Sequence, residues 1–314
     1  MPSRRATLEW TEPKNDPALL TPLSIVLVLS AAFLHASWNA LLRGGADRAQ
    51  SMLIMNITVG IAGLAMMAVA GLPTSAALYV CASGLIHLVY NALLVRMYRS
   101  GDLGETYPVA RGSSPALVAL GGSLVAGEWM NLIGTAGIGL VSAGIFMLAA
   151  ARARPAKVES ALASDRAPNI GSRLHAMNLP FALATGVSIA AYTVVDGLGV
   201  RASGNWAAYT GGLFALFLAW PLWYLARRRL EMFAVPLMEV GKAASGGLIS
   251  LAAYGAVIWA MQGSAMGAVS ALRETSVVFA ALLGAAFLNE RLTGWRIAAC
   301  CIIAAGAACL GLRL

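Results

Sequence analysis

The chain has little charge. Only 11% of its 314 residues are Asp, Glu, Lys or Arg, where soluble domains carry about 25%. Together with 59% hydrophobic residues and a mean hydropathy of +0.74, that scarcity excludes a soluble globular protein. Cysteine is scarce too. Cys81, Cys300, Cys301 and Cys309 all lie in apolar stretches without metal-ligand spacing, so they read as small core residues and not as a disulfide framework or a zinc site. The sequence has no Walker-type phosphate loop, which excludes a primary pump. It has no His-Glu-x-x-His, Gly-x-Ser-x-Gly or Asp-rich motif, so no enzyme, cofactor or metal is expected. The alternating hydrophobicity of barrel strands is also missing.

Long apolar runs are what the chain does have. They lie roughly at 22–42, 49–71, 76–98, 103–126 and 131–151, then at 178–199, 205–226, 240–262, 265–288 and 293–312. Each is near the ~20 residues that a helix needs to cross a bilayer. The expected fold is therefore all-α and integral to the membrane, with ten transmembrane helices. Residues 1–21 read as a polar tail without a signal-peptide n-region, expected to stay in the mature protein. Residues 22–151 form a first five-helix unit, 152–177 a polar linker with Pro155 and Pro168, and 178–314 a second five-helix unit.

The two units are related. Arg111 to Glu128, RGSSPALVALGGSLVAGE, aligns without a gap on Arg273 to Glu290, RETSVVFAALLGAAFLNE, 162 residues later. Arg111 falls on Arg273, Ser114 on Ser276, Gly122 on Gly284, Glu128 on Glu290 and, further on, Gly144 on Gly306. Internal repetition at this distance indicates a doubled chain. Because each unit has an odd number of helices, the second must enter the membrane upside down, as in many secondary transporters.

The charges agree. The loops after helices 1, 3, 5, 7 and 9 hold 15 of the 22 Lys and Arg; five lie in the termini and the other loops, and Arg111 and Arg273 lie inside spans. The net charge of +8 is thus explained by topology, and no nucleic-acid partner is expected. The same count puts the odd-numbered loops in the cytoplasm and both termini outside.

The ten-helix count, the five-plus-five repeat and the spans closing in Gly127-Glu128 and Asn289-Glu290 resemble the drug/metabolite transporter superfamily, specifically EamA-type permeases. The resemblance covers about residues 22–313. It implies a permease of the cell membrane that exports or exchanges amino acids, metabolites or drugs, with proton drive. It also implies cytoplasmic termini, opposite to the charge count. Expected partners are a small-molecule substrate and the lipid bilayer; the oligomeric state is left open. The competing classes are a structural or accessory subunit, which needs no paired polar faces inside the bundle, and a membrane-embedded enzyme, for which no motif speaks.

Polar groups at membrane depth are costly and usually face a cavity. Helix 1 carries His35, Trp38 and Asn39, and helix 3 carries His87, Tyr90 and Asn91. Both trios have the spacing i, i+3, i+4 and share one helix face. Such a face offers aromatic walls, amides and an imidazole, which suits a zwitterionic or aromatic ligand. Interhelical bonding and interfacial anchoring are the alternative. Metal binding by His35 and His87 is not expected, since no Asp, Glu or Cys stands at ligand spacing.

Arg111 lies between Pro108 and Pro115, which are expected to open its helix locally. It is expected to bind a ligand carboxylate, the alternative being an Arg that snorkels to the interface. Arg273 is its counterpart, in a helix without those prolines. Glu274, directly after it, should point away from Arg273 and be free to carry a proton. Asp196, after Tyr192, is the second proton candidate, with a solvated helix end as its alternative. Trp259, Gln262 and Tyr254 are candidates for the opposite wall. Glu128 and Glu290 read as structural groups meeting a loop Arg or exposed amides. Gly60, Gly63, Gly84, Gly122, Gly246, Gly284 and Gly306 would allow close helix contact.

Overall fold

A computed structural model of the chain describes residues 20–42, 48–100, 103–163, 169–288 and 293–311. Helices fill most of each expected span among the described residues. The first half comprises α1 (Pro22–Leu42), α2 (Arg48–Ala70), α3 (Ala77–Ser100), α4 (Leu103–Ala126) and α5 (Leu132–Ala163). The second comprises α6 (Asn169–Ser203), α7 (Trp206–Ala215), α8 (Ala219–Ala226), α9 (Leu237–Gly263), α10 (Met266–Arg273), α11 (Ser276–Leu288) and α12 (Gly294–Gly311). A 3-10 turn joins α7 to α8, and a two-residue break separates α10 from α11, so each pair makes one span. Nine stretches among the described residues are long and apolar enough to cross a membrane. With α4, 24 residues long, the spans number ten.

Most of the stretch read as a linker is helical. α5 runs on to Ala163 and α6 starts at Asn169, while 164–168 lie outside the described residues. Residues 156–163, AKVESALA, are rich in strong helix formers and carry no stop signal.

Two pairs of equivalent helices show the inversion directly. α2 packs against α7 and α8, with the Asn205 amide donating to the Ala70 carbonyl at 3.1 Å, Gly60 against Leu218, and the Gln50 amide donating to the Glu231 carbonyl at 3.2 Å. As one chain position rises the other falls, so the helices are antiparallel. α5 and α12 behave alike: Gly137 meets Gly306, Gly144 meets Ile303, and the Trp295 indole donates to the Met147 carbonyl at 3.0 Å. Second helix against second and fifth against fifth, both antiparallel, define two inverted repeats. The remaining pairs cross over between halves, α1 with α9 and α3 with α6.

The crossings rest on small residues. A Cβ on Gly306 would come within 2.7 Å of the Gly137 carbonyl, and one on Gly137 within 2.9 Å of the Gly306 carbonyl. Gly63 and Gly211 make the same reciprocal contact between α2 and α7. Without a hydrophobic drive between helices in lipid, such close backbone packing is a main source of association. Of the other expected glycines, Gly60 and Gly84 abut Leu218 and Leu216, Gly122 faces the Glu128 carboxylate, and Gly246 has only loose contact with Met55.

Candidate functional site

The prolines of α4 do not open it. α4 is continuous through Pro108 and Pro115, because a proline removes one N–H donor but keeps a helical φ. The break lies in the other half instead, at Glu274 and Thr275. There the Glu274 N–H reaches Ala271, Thr275 reaches Leu272, Val277 reaches Glu274 and Val278 reaches Thr275, all one residue short of the α pattern. The Thr275 hydroxyl also donates to the Leu272 carbonyl at 2.7 Å. Local hydroxyl bonding and i→i+3 tightening end one helix and begin the next.

A charged cluster forms at this break. The Arg111 Nε donates to Glu274 Oε2 at 2.6 Å, and its Nη2 donates to the Ser276 hydroxyl at 3.1 Å. Its Nη1 lies 3.2 Å from His35 Nε2. Arginine only donates, so His35 accepts through Nε2 and is neutral. Arg273 Nη2 approaches Glu274 Oε1 at 3.4 Å. This overturns the expectation that Glu274 points away from Arg273. The spacing rule describes regular helix, and α10 ends at Arg273. Arg111 and Arg273 are 7% and 5% exposed and Glu274 0%, so snorkelling is excluded and the cluster is sealed. Arg111 lies about two turns into α4 and Arg273 about two turns into α10. In inverted halves those helices start at opposite faces, so the two arginines meet near the membrane centre.

The trios serve two neighbouring sites. His35 and Trp38, ring centroids 5.2 Å apart, stand beside Arg111. Asn39 instead donates its amide to the His35 carbonyl in its own helix at 2.8 Å. His87 stacks on Tyr192 at 4.1 Å, and Tyr90 meets Tyr192 edge-on at 5.8 Å. His87 Nδ1 is 2.9 Å from the Ser83 carbonyl and must donate to it. Asn91 is half-buried on the same helix.

Asp196 is in the core and not at a solvated end, because α6 continues to Ser203. Its two oxygens accept from the Tyr209 hydroxyl at 2.8 Å and the Tyr254 hydroxyl at 2.5 Å. Tyr254 also meets His87 and Tyr192 edge-on. Trp259 packs partly buried against the apolar core, and Gln262 is at a helix end, donating to the Gly204 carbonyl at 3.1 Å. Neither joins a charged cluster. Sequence reading missed Tyr209; Ser276 was visible only as the repeat partner of Ser114.

An apolar groove of about 360 Å³ runs between α1, α11 and α12, reaching Leu272 and Thr275. No group of three or more His, Cys, Asp or Glu with metal-binding geometry occurs among the described residues.

Ten spans in two inverted halves, closed over a charged cluster at mid-membrane, define a multi-pass membrane protein with secondary-transporter architecture. The sequence profile of the EamA-like transporter family matches residues 177–312, the second half. A crystal structure of another protein, 19% identical, superposes with a TM-score of 0.67 over 91% of this chain and 95% of that one, so both halves share its fold. None of the curated proteins matches the sequence. The second half of the chain thus resembles the EamA-like transporter family, and the chain as a whole is a multi-pass, all-α membrane protein.

Proposed function

We propose that the protein moves a small carboxylate-bearing metabolite, such as an amino acid or an anionic drug, out of the cell in exchange for protons. Arg273 carries this reading. The repeat register places it where Arg111 stands in the first half, but its partner positions differ. Glu274 corresponds to Gly112, His35 to Gly197, and Ser276 to Ser114. Arg111 has all three partners. Arg273 has one contact, to Glu274, and its buried Nε has no hydrogen-bond partner, nor has the Ser114 hydroxyl. Two arginines on one glutamate leave a net positive charge in a dry interior, which a ligand carboxylate balances. The N-terminus of α11 at Ser276 adds its dipole, as at anion sites in broken transporter helices.

Coupling follows from competition. When a ligand carboxylate engages Arg111 and Arg273, Glu274 loses its cations. A carboxylate left alone in a low-dielectric site takes up a proton. Asp196, held by two phenols and no arginine, is the second proton site in this scheme. His35, Trp38, His87, Tyr90 and Tyr192 supply walls for the rest of the ligand.

The test is uptake of labelled carboxylates into proteoliposomes with and without a pH gradient. Accumulation that follows the gradient and, in Arg273→Ala, needs a higher substrate concentration is the expected result. Transport of neutral analogues at the same rate would rule the reading out.

A further inference from the structure

One end of the bundle carries an ion pair between the halves. There, Gly127 (φ 66°) turns the chain after α4, and the Glu128 N–H closes on the Gly122 carbonyl at 3.2 Å. This aims the Glu128 carboxylate across the halves. Oε2 accepts the Met266 N–H at 2.8 Å, capping α10, which has no cap of its own. Oε1 pairs with Arg201 Nη2 of α6 at 2.5 Å. Arg201 also donates to the Met261 and Ser264 carbonyls at the end of α9, at 3.0 and 2.8 Å. Ser264 continues to Ser24 at the start of α1 at 3.3 Å. One ion pair thus ties together α1, α4, α6, α9 and α10, all around the span that carries the break.

The register shift of 162 holds for this comparison. Gly186 of α6 packs on Ala110 and Ser113; their counterparts Leu272 and Thr275 line one groove with Ile25 of α1, the neighbour of Ser24, which is the counterpart of Gly186. By that register the counterpart of Arg201 is Asn39. It brings no charge, and its amide bonds within its own helix. The counterpart of Glu128, Glu290, lies outside the described residues.

We propose that Glu128 and Arg201 form a latch that holds this face of the transporter shut, and that the protein opens first at the opposite face. The pair is partly solvent-facing, with the Arg201 side chain 30% exposed and Glu128 9%, so it breaks and reforms at modest cost. It touches neither the Arg111 cluster nor Asp196. It acts on the ends of the helices that enclose them.

The test is thiol labelling in proteoliposomes of known orientation. The four native cysteines are replaced by Ala, Ser276→Cys is introduced, and a membrane-impermeant maleimide is added from each face in turn. Glu128→Gln keeps an oxygen for the Met266 N–H and removes only the charge. With Glu128 and Arg201 intact, label is expected mainly from the face opposite the latch. In Glu128→Gln or Arg201→Gln, labelling from the latch face should rise about tenfold, with no further rise in the double variant, as for a broken partly buried pair. An unchanged rate from the latch face, or an equal rise from both faces, overturns the proposal. The readout needs no substrate, so it is independent of what the site carries.

Discussion

Arg111 and Glu274 are 163 positions apart in the chain, and their side chains meet at 2.6 Å, Nε to Oε2. One residue comes from each inverted half, so the contact ties the two halves together. A buried ion pair is weak evidence for stability, since desolvation offsets most of its Coulomb gain. In the proposed scheme its value lies in being exchangeable, a ligand carboxylate taking the place of Glu274 on the same fork.

Arg111 should therefore be replaceable only at a cost to function. Lys keeps the charge and loses the bidentate fork, so Arg111→Lys is expected to weaken transport. Arg111→Ala should abolish it and lower stability by about 3–5 kcal/mol, because Glu274 then keeps only its 3.4 Å contact with Arg273. Flux in proteoliposomes and thermal unfolding in detergent measure the two effects. Full transport by the Ala variant would rule out the role.

Arg273→Ala is expected to behave differently. Arg273 has one long contact and an unpartnered Nε, so its loss disturbs the resting protein less. It removes a ligand contact instead. The expected pattern is a KM raised about tenfold or more, as for a lost charged hydrogen bond, with a melting temperature nearer to that of the unsubstituted protein than Arg111→Ala shows. Equal destabilisation by both variants would show that the arginines are structural equivalents.

Much of this was legible in the sequence, for a physical reason. A charge inside an apolar span stands out, so Arg111, Arg273 and their register could be found by eye, and the odd helix count forced the inversion. The break was not legible. Residues 273–276, Arg-Glu-Thr-Ser, contain neither Pro nor Gly, and the turn there is closed by hydroxyl and backbone bonds. Conversely, Pro108 and Pro115 announced an opening that the rest of α4 does not make. Tyr209 reaches Asp196 only because the turn at Gly204 and Asn205 folds α7 back on α6. Gly306 was noticed and Gly137 was not, although the crossing needs both; composition shows small residues but not which of them face each other.

That crossing gives a stability prediction. In Gly306→Leu the new side chain would meet the Gly137 carbonyl and Val141 backbone and side-chain atoms within 3 Å. Backbone cannot give way as a side-chain tip can, so a loss of about 1–3 kcal/mol or more is expected, as for overpacked sites. Gly139→Ala, where a Cβ meets nothing within 4 Å, is the control and should be near neutral. Thermal unfolding of both variants in one detergent decides it. Similar melting temperatures would mean that α5 and α12 do not cross at Gly306.

The last prediction concerns the proton. A coupling group must be charged in one state and neutral in another, and arginine stays charged. His35 accepts a bond from Arg111 and so is neutral here; protonating it would set two cations 3.2 Å apart. In the proposed scheme Glu274 is the group whose surroundings change when a ligand arrives. With Arg111 and Arg273 on it, the carboxylate is balanced; in the proposed exchange both arginines turn to the ligand and Glu274 loses its cations. Glu274→Gln mimics the protonated form permanently. The variant is expected to exchange substrate for substrate across liposomes and to lose accumulation driven by an imposed pH gradient. Asp196→Asn separates the two proton candidates. Asp196 faces Tyr209, Tyr254 and His87 and makes no ion pair with an arginine, so ligand binding at Arg273 leaves its direct partners in place. Its loss should reduce gradient drive less than the loss of Glu274 does. Gradient-driven accumulation that persists in Glu274→Gln and vanishes in Asp196→Asn would move the coupling role to the tyrosine-bound carboxylate.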